Sequence, residues 1–379
     1  MSRSFSSPPR LIMGEDALET AATQLPSLGT KVLIVTDPGI VAAGIHDQVH
    51  AILTDSGLPI DTFSEVVGNP DIATVEKADA ARAAAGSDIV VAIGGGSSID
   101  VAKSVAVIAT NGGRIGDYEG VDRFSTPPLP VLVVPTTVGS GSEVTKGAVI
   151  TDPDTHVKMV IVSDLMFARI AILDPRVVAG LPGRIAATTG MDALTHAIEA
   201  YVAKGANPVT DAINLGAIEI IGQNLVPASQ GDPEALYQML VASSMAGIGF
   251  HDAGLGAVHA LANTLGGHFG IHHGTANALF LPYVMDFNLP AAPERFARIA
   301  QALGEDVAGL SAEDAARRAS ERVHRLAEET AVPRTLTELD IPEDAIPALA
   351  ADALGQADLP GNPREASLQD LTDLYRRAL

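Results

Sequence analysis

The apolar periodicity of this chain changes once, near residue 180, and that change limits the folds open to it. Before it, short β-branched runs alternate with helical patterns. Lys31–Thr36 (KVLIVT), Asp88–Ile93 (DIVVAI) and Leu129–Val134 (LPVLVV) read as strands, and helical spacing runs over Gly44–Ser56 and Ile72–Ala85. Strand and helix in this rhythm build a parallel sheet with helices on its faces. After the turn at Leu181-Pro182-Gly183 the pattern is helical almost throughout: Arg184–Ala203, Asp211–Leu225, Pro233–Gly247, Ala257–Leu265, Thr275–Phe287, Pro293–Leu303 and Ala312–Glu329. The stretch Ile341–Arg364, rich in Pro and Asp, reads as ordered but irregular, ahead of a last helix over Ser367–Leu379. The expected architecture is an α/β domain over 1–180 followed by an all-helical domain over 181–379. Hydrophobic residues make up 47% of the chain, enough for a core in each part.

Charge and cysteine content narrow the chemistry. Acidic residues outnumber Lys and Arg, 46 to 24, for a formal charge of −22. Such a surface repels phosphate backbones and anionic lipid, so neither nucleic acid nor membrane is an expected partner. The chain has no cysteine, which excludes disulfides, thiolate nucleophiles and thiolate metal ligands. The N-terminal MSRSFSSPPRLIMGEDAL contains no apolar run of the secretory kind, and a soluble cytoplasmic protein is the expectation.

Three strand ends carry candidate binding groups. GGGSSID, Gly94–Asp100, follows the second strand and precedes a helix read over Ile99–Ala109. A glycine loop there offers backbone N–H groups and a positive helix end, which suits a pyrophosphate, although tight turns use glycine too. Asp37 ends the first strand, where a carboxylate can take a ribose hydroxyl pair or simply open the Asp37-Pro38-Gly39 turn. Pro135–Glu143 (PTTVGSGSE), rich in hydroxyls, follows the third strand and lines the same crevice or is a plain polar loop.

The helical half carries a different signal. MDALTHAIEAY, Met191–Tyr201, has an apolar stripe, and beside it Asp192 and His196 stack at i and i+4. Five of the ten histidines fall in 251–273: His251, His259, His268, His272 and His273. His259 lies on an apolar helix and His273 opens the next. With Asp192 and His196 they make a three-nitrogen, one-oxygen set suited to Fe(II) or Zn(II). Packed or solvated histidines are the competing reading.

Taken in order, IVTD, NPD (Asn69–Asp71), AIGGGSSIDVAK, PTTVGSGSEVT, VITD, GMDALTHAIEAY, GIGF and VHALANTLGG…HHGTAN resemble the iron-containing (group III) alcohol dehydrogenase family. The likeness runs from about Lys31 to Asn288, with a weaker echo in Asn362–Arg364. It implies a Rossmann-like dinucleotide domain, an all-helical metal domain, and an active site in the cleft between. It further implies Asp192, His196, His259 and His273 as metal ligands, and Asp37, Asn69, Gly95, Gly96, Ser97, Thr136, Thr137, Ser140 and Lys158 as NAD contacts. Phe250 would line the substrate pocket. A homodimer or larger homo-oligomer is implied as well.

One departure bears on chemistry. Many family members carry a second histidine four residues after the third ligand, a proton relay; here the residue is Asn263. His251, where relatives have small polar residues, is a candidate replacement, a shaper of the pocket, or a surface-facing residue at a helix end. The activity the resemblance implies is hydride transfer between NAD(H) and a small alcohol–aldehyde pair, with the metal as Lewis acid on the substrate oxygen. The rivals on the same fold are a dehydroquinate-synthase-like lyase and a metal-free reductase of the maleylacetate type. A non-enzymatic nucleotide or metal sensor finds no support in the residues.

Overall fold

The computed structural model describes residues 5–6, 9–153 and 158–379. The chain forms two compact units. One comprises residues 6–137 and 141–179. The other comprises 180–379 together with residue 5 and Val138–Ser140.

Among its described residues the first unit has nine strands: β1 (Arg10–Met13), β2 (Val32–Val35), β3 (Ile60–Phe63), β4 (Ile89–Gly94), β5 (Gly120–Val121), β6 (Val131–Pro135), β7 (Gly147–Thr151), β8 (Lys158–Val162) and β9 (Ile170–Leu173). Its helices are α1 (Ala17–Ala22), α2 (Pro38–Ala42), α3 (Ile45–Thr54), α4 (Ile72–Ala85) and α5 (Gly96–Asn111). Six strands pair in parallel in the order β1-β9-β6-β4-β2-β3, and β5, β8 and β7 make a small mixed sheet. The inner strands β2, β4, β6 and β9 are buried at every residue, as strands covered on both faces must be. Leu33, Val35, Val90, Ala92 and Val133 join one core cluster with Val101, Ala102 and Val105 of α5, following the two-residue alternation of a strand.

The order of strands places the predicted phosphate edge. From β2 the chain moves outward to β3, then returns to β4 on the other side of β2. The carboxyl ends of β2 and β4 therefore flank the point where the winding reverses, the place where open α/β sheets bind ligands.

The second unit is helical: α6 (Gly183–Val202), α7 (Pro208–Ser229), α8 (Pro233–Ala253), α9 (Ala257–Phe269), α10 (His273–Asn288), α11 (Pro293–Ala302), α12 (Ala312–Glu329), α13 (Ile346–Leu354) and α14 (Leu368–Arg377). At the centre is α6, buried continuously from Ala186 to Val202 and packed on α7, α8 and α10. None of the helices in the described residues is long and apolar enough to cross a membrane.

Several sequence expectations shift. The glycine run bends only at Gly94 and Gly95; α5 already starts at Gly96, so Ser97–Asp100 are helical rather than loop. Two small serines after the glycines do not prevent an early helix start. α8 runs six residues past the expected end at Gly247, to Ala253, because tertiary packing overrides the low helix propensity of Gly247 and Gly249. The supposedly irregular tail contains α13, whose Ile346, Leu349, Ala350 and Ala353 form a buried stripe behind the Pro and Asp of its flanks.

Candidate active site

Three helices bring four side chains to one point. Asp192 and His196 stand one turn apart on α6, His259 is in the first turn of α9, and His273 is the first residue of α10. One candidate ligand atom from each lies within 4.8 Å of the others. Asp192, His196 and His259 are buried, and His273 is half-buried. Gly274 explains how His273 comes so close. A Cβ at that position would stand 2.8 Å from the Thr188 carbonyl oxygen, so glycine lets the start of α10 rest directly on α6.

The lone pairs converge on one small region. Asn277 Nδ2 donates to Asp192 Oδ1 at 2.7 Å and lies 3.2 Å from His259 Nε2 and 3.1 Å from His273 Nε2. An amide nitrogen has two hydrogens, so it cannot serve all three acceptors. Its own Oδ1 is buried without a hydrogen bond, as is His196 Nδ1. A group of three imidazoles and a carboxylate around a single positive dipole fits a divalent cation with nitrogen and oxygen preference.

The electrostatics agree. Burial works against the charged form of Asp192, but the imidazoles of His196, His273 and His259 outweigh it and hold the carboxyl below its ordinary range. Burial, aided by His259, pushes His196 down to about 4 against the pull of Asp192, leaving the neutral imidazole that a metal requires. Burial also disfavours charge on His259, yet its hydrogen bond to Glu199 raises it overall. The ring of Phe250 stacks on His196, centroids 4.5 Å apart at 19°, and so fixes the plane of that imidazole.

Two other predicted residues stand apart from the cluster. His251 lies in the last turn of α8 but does not face solvent. Its side chain is 3% exposed, with Nδ1 3.2 Å from the Gly247 carbonyl and Nε2 3.3 Å from Asp252. The surface-facing reading is thereby overturned: the ring is enclosed, with the Phe5 ring 6.2 Å away. Asn263, one turn beyond His259 on α9, donates to Asp358 Oδ2 at 3.4 Å. Burial raises the Asp358 carboxyl above its ordinary range, with Glu199 adding to the effect and His259 opposing it.

Glu199 and Asn277 were not singled out from the sequence. Glu199 extends the Asp192/His196 spacing to i, i+4, i+7 on one face of α6, a signal that was present in HAIEAY. Asn277, four residues after His273, closes the HHGTAN motif but was given no role there.

In the sheet unit, Asp37, Gly95 and Thr136 follow the neighbouring strands β2, β4 and β6. Asp37 Oδ1 accepts the Gly39 and Ile40 N–H groups and caps α2, while Oδ2 accepts the Ser98 hydroxyl at 3.3 Å. The turn reading of Asp37 is correct, therefore, whatever else the carboxylate does. Gly95 caps α5 with no side chain, so the first N–H groups of that helix, at Gly96 and Ser97, have no cap from it. A Cβ on Gly95 would meet the Thr137 side chain at 3.1 Å. Asn69 follows β3 with φ of 52°, a left-handed conformation that asparagine tolerates. The hydroxyl of Thr136 is buried without a hydrogen bond. Lys158 opens β8, and burial lowers its ammonium from the ordinary range. Ser140 belongs with the helical unit rather than the sheet.

Comparison with known proteins matches the chain in two segments. Residues 8–175 match the family described as iron-containing alcohol dehydrogenase, and residues 186–379 match the C-terminal part of the Fe-containing alcohol dehydrogenase family. The chain is 39% identical over 378 residues to an NAD-dependent methanol dehydrogenase of Bacillus methanolicus, covering 99% of each. It is 40% identical over 354 residues to a 1,3-propanediol dehydrogenase of Klebsiella pneumoniae, covering 92% of each. Among solved structures, a 1,3-propanediol oxidoreductase superposes with a TM-score of 0.97 at 38% identity, covering 100% of both chains.

Proposed function

The chain belongs to the iron-containing alcohol dehydrogenase family, and on that footing we propose that Asp192, His196, His259 and His273 hold a divalent ion where a small alcohol and its aldehyde are interconverted with NAD(H). The observation that carries this reading is the convergence of three acceptor atoms on the Asn277 amide nitrogen. When bound, Fe(II) or Zn(II) supplies Lewis acidity toward the substrate oxygen, and NAD(H) supplies the hydride acceptor or donor.

The remaining work falls to side chains. Asp192 offsets part of the ion's charge, and His196 is held neutral by burial, the form that ligates. Phe250 holds the His196 ring and gives the substrate an apolar wall. Asn263 cannot titrate, so a proton leaving near it takes another route: His251, bound water, the nicotinamide ribose hydroxyl, or Asp358, which accepts from Asn263 at 3.4 Å. On the sheet unit, Gly95, Gly96 and Ser97 offer backbone N–H groups to a pyrophosphate, and Asp37 offers its carboxylate to the adenosine ribose. Asn69, Thr136, Thr137, Ser140 and Lys158 complete the NAD contacts on the strength of the family motifs. Two relatives named for methanol and 1,3-propanediol support a short, unbranched alcohol as substrate. A cytoplasmic homo-oligomer is the assembly this reading carries.

The test is steady-state NAD(H) turnover with a panel of short alcohols and aldehydes, using chain reconstituted with Fe(II) or with Zn(II). Turnover with short primary alcohols is expected. A metal-loaded chain that turns over no member of the panel would overturn the reading.

A further inference from the structure

Glu199 lies one turn beyond His196 on α6 and is outside the four-residue cluster, yet its side chain is only 4% exposed. Each oxygen has a partner on α9. Oε2 lies 2.6 Å from His259 Nδ1, and Oε1 accepts the Val258 N–H at 2.7 Å. α9 needs such help, because its N-cap is Gly256 and has no side chain to offer. Asn362 Oδ1 accepts the neighbouring Ala257 N–H at 3.2 Å, so two side chains from elsewhere cap this helix.

A carboxylate accepts hydrogen bonds and cannot donate them, so the hydrogen between Glu199 and His259 must sit on Nδ1. In the neutral ring the lone pair is then on Nε2, the nitrogen that faces Asn277 and the other candidate ligands. We propose that Glu199 is a positioning residue: it fixes the tautomer and ring direction of His259 so that Nε2 is the ligand atom, and it locks that direction to the helix it caps. Metal-ligating histidines commonly rely on such a partner, and removing it costs about 10–100-fold in metal affinity. The proposal rests on the reading of the cluster as a metal site.

Glutamine is the discriminating replacement. If its oxygen keeps the Val258 N–H, its NH₂ faces Nδ1 and forces the hydrogen onto Nε2, which can no longer ligate. If it turns over to accept from Nδ1–H, its NH₂ confronts the Val258 N–H. The first arrangement reverses the tautomer and the second breaks the lock to α9, in each case without loss of volume. Asn362→Ala is the companion variant, since it removes a cap of α9 but not the contact to His259.

The experiment measures Zn(II) affinity of the full chain by competition with a chromophoric chelator. Glu199→Gln should lose about 10–100-fold, and Asn362→Ala should stay within about threefold of the parent, well under a tenfold step of 1.4 kcal/mol. Equal losses in the two variants, or no loss in Glu199→Gln, would overturn the proposal by leaving Glu199 a helix cap and nothing more. Long-range ¹H–¹⁵N spectra of the zinc-loaded parent chain give a second measurement that needs no variant. His259 should carry its proton on Nδ1 and ligate through Nε2; ligation through Nδ1 overturns this inference alone. A parent chain that binds no Zn(II) overturns the metal reading itself.

Discussion

The two binding regions of this molecule are built from opposite materials. In the helical unit the chemistry is in side chains: Asp192, His196, His259 and His273 come from three helices, and Phe250, Glu199 and Asn277 hold them. At the sheet edge the chemistry is largely in the backbone, where Gly95 and the first turn of α5 present N–H groups and a Cβ would already crowd Thr137. The first region should fail when a side chain is removed, and the second when one is added.

The largest effect is expected from removal. His196→Ala or His259→Ala should abolish metal retention and lower kcat by more than about 10³-fold, since Lewis-acid stabilisation is worth several kcal/mol. NADH binding should stay close to that of the parent. A variant that keeps full turnover would break the comparison at its stronger end.

Asp37→Gly probes the one carboxylate at the backbone edge. If Asp37 faces the ribose, removing it lifts a like-charge repulsion toward a 2′-phosphate and should raise the NADP-to-NAD ratio of kcat/KM by about 10–100-fold. Because Asp37 also caps α2, a loss of a few tenths of a kcal/mol in stability is expected with glycine at that cap. A parent enzyme that already prefers NADP would remove Asp37 from the nucleotide contacts.

Addition should act more gently. Gly95→Ala forces Thr137 to give way and should weaken NADH binding by about tenfold, or roughly 1.4 kcal/mol, with metal content unchanged. Metal loss in this variant would show that the two regions are not separable in the way described.

The smallest effect concerns a buried cation behind the edge. Lys103 donates to the carbonyls of Ser142, Thr145 and Gly147, and burial lowers it to about 8, with Asp100 and Glu143 opposing. Its ordinary value is near 10.5, so from about pH 8 to 10 the unfolded chain binds the proton that the folded chain has shed. Stability contributed through this group therefore rises with pH across that window. Thermal melts should show the parent gaining on Lys103→Met between pH 8 and 10; an opposite trend would contradict the assignment.

How much of this was legible in the sequence follows from the same contrast. β2, β4 and β6 stand out because strands buried on both faces are continuous apolar runs. β3 does not, since Asp61 and Thr62 are exposed at the sheet's edge. β9, a run of only four apolar residues, is too short to separate from its surroundings, and α13 is masked by the Pro and Asp beside it. The candidate ligands are legible because Asp192 and His196 share one helix and the other histidines crowd one short segment. Glu199 is marked only by its i+7 spacing from Asp192, since a helical Glu ordinarily reads as a solvated face and its partner is 60 residues away on another helix. Asp358, next to Asn263 in space, is hidden for the same reason: the two are 95 residues apart in the chain.

The most direct test is a titration of metal-stripped chain with Fe(II) under anaerobic conditions, following alcohol-dependent NADH formation and NADH binding in the same samples. Activity should rise linearly from zero and level off at one Fe(II) per chain, while the NADH dissociation constant stays constant throughout. Turnover by the metal-free chain would contradict the account and favour a metal-free reductase on this fold.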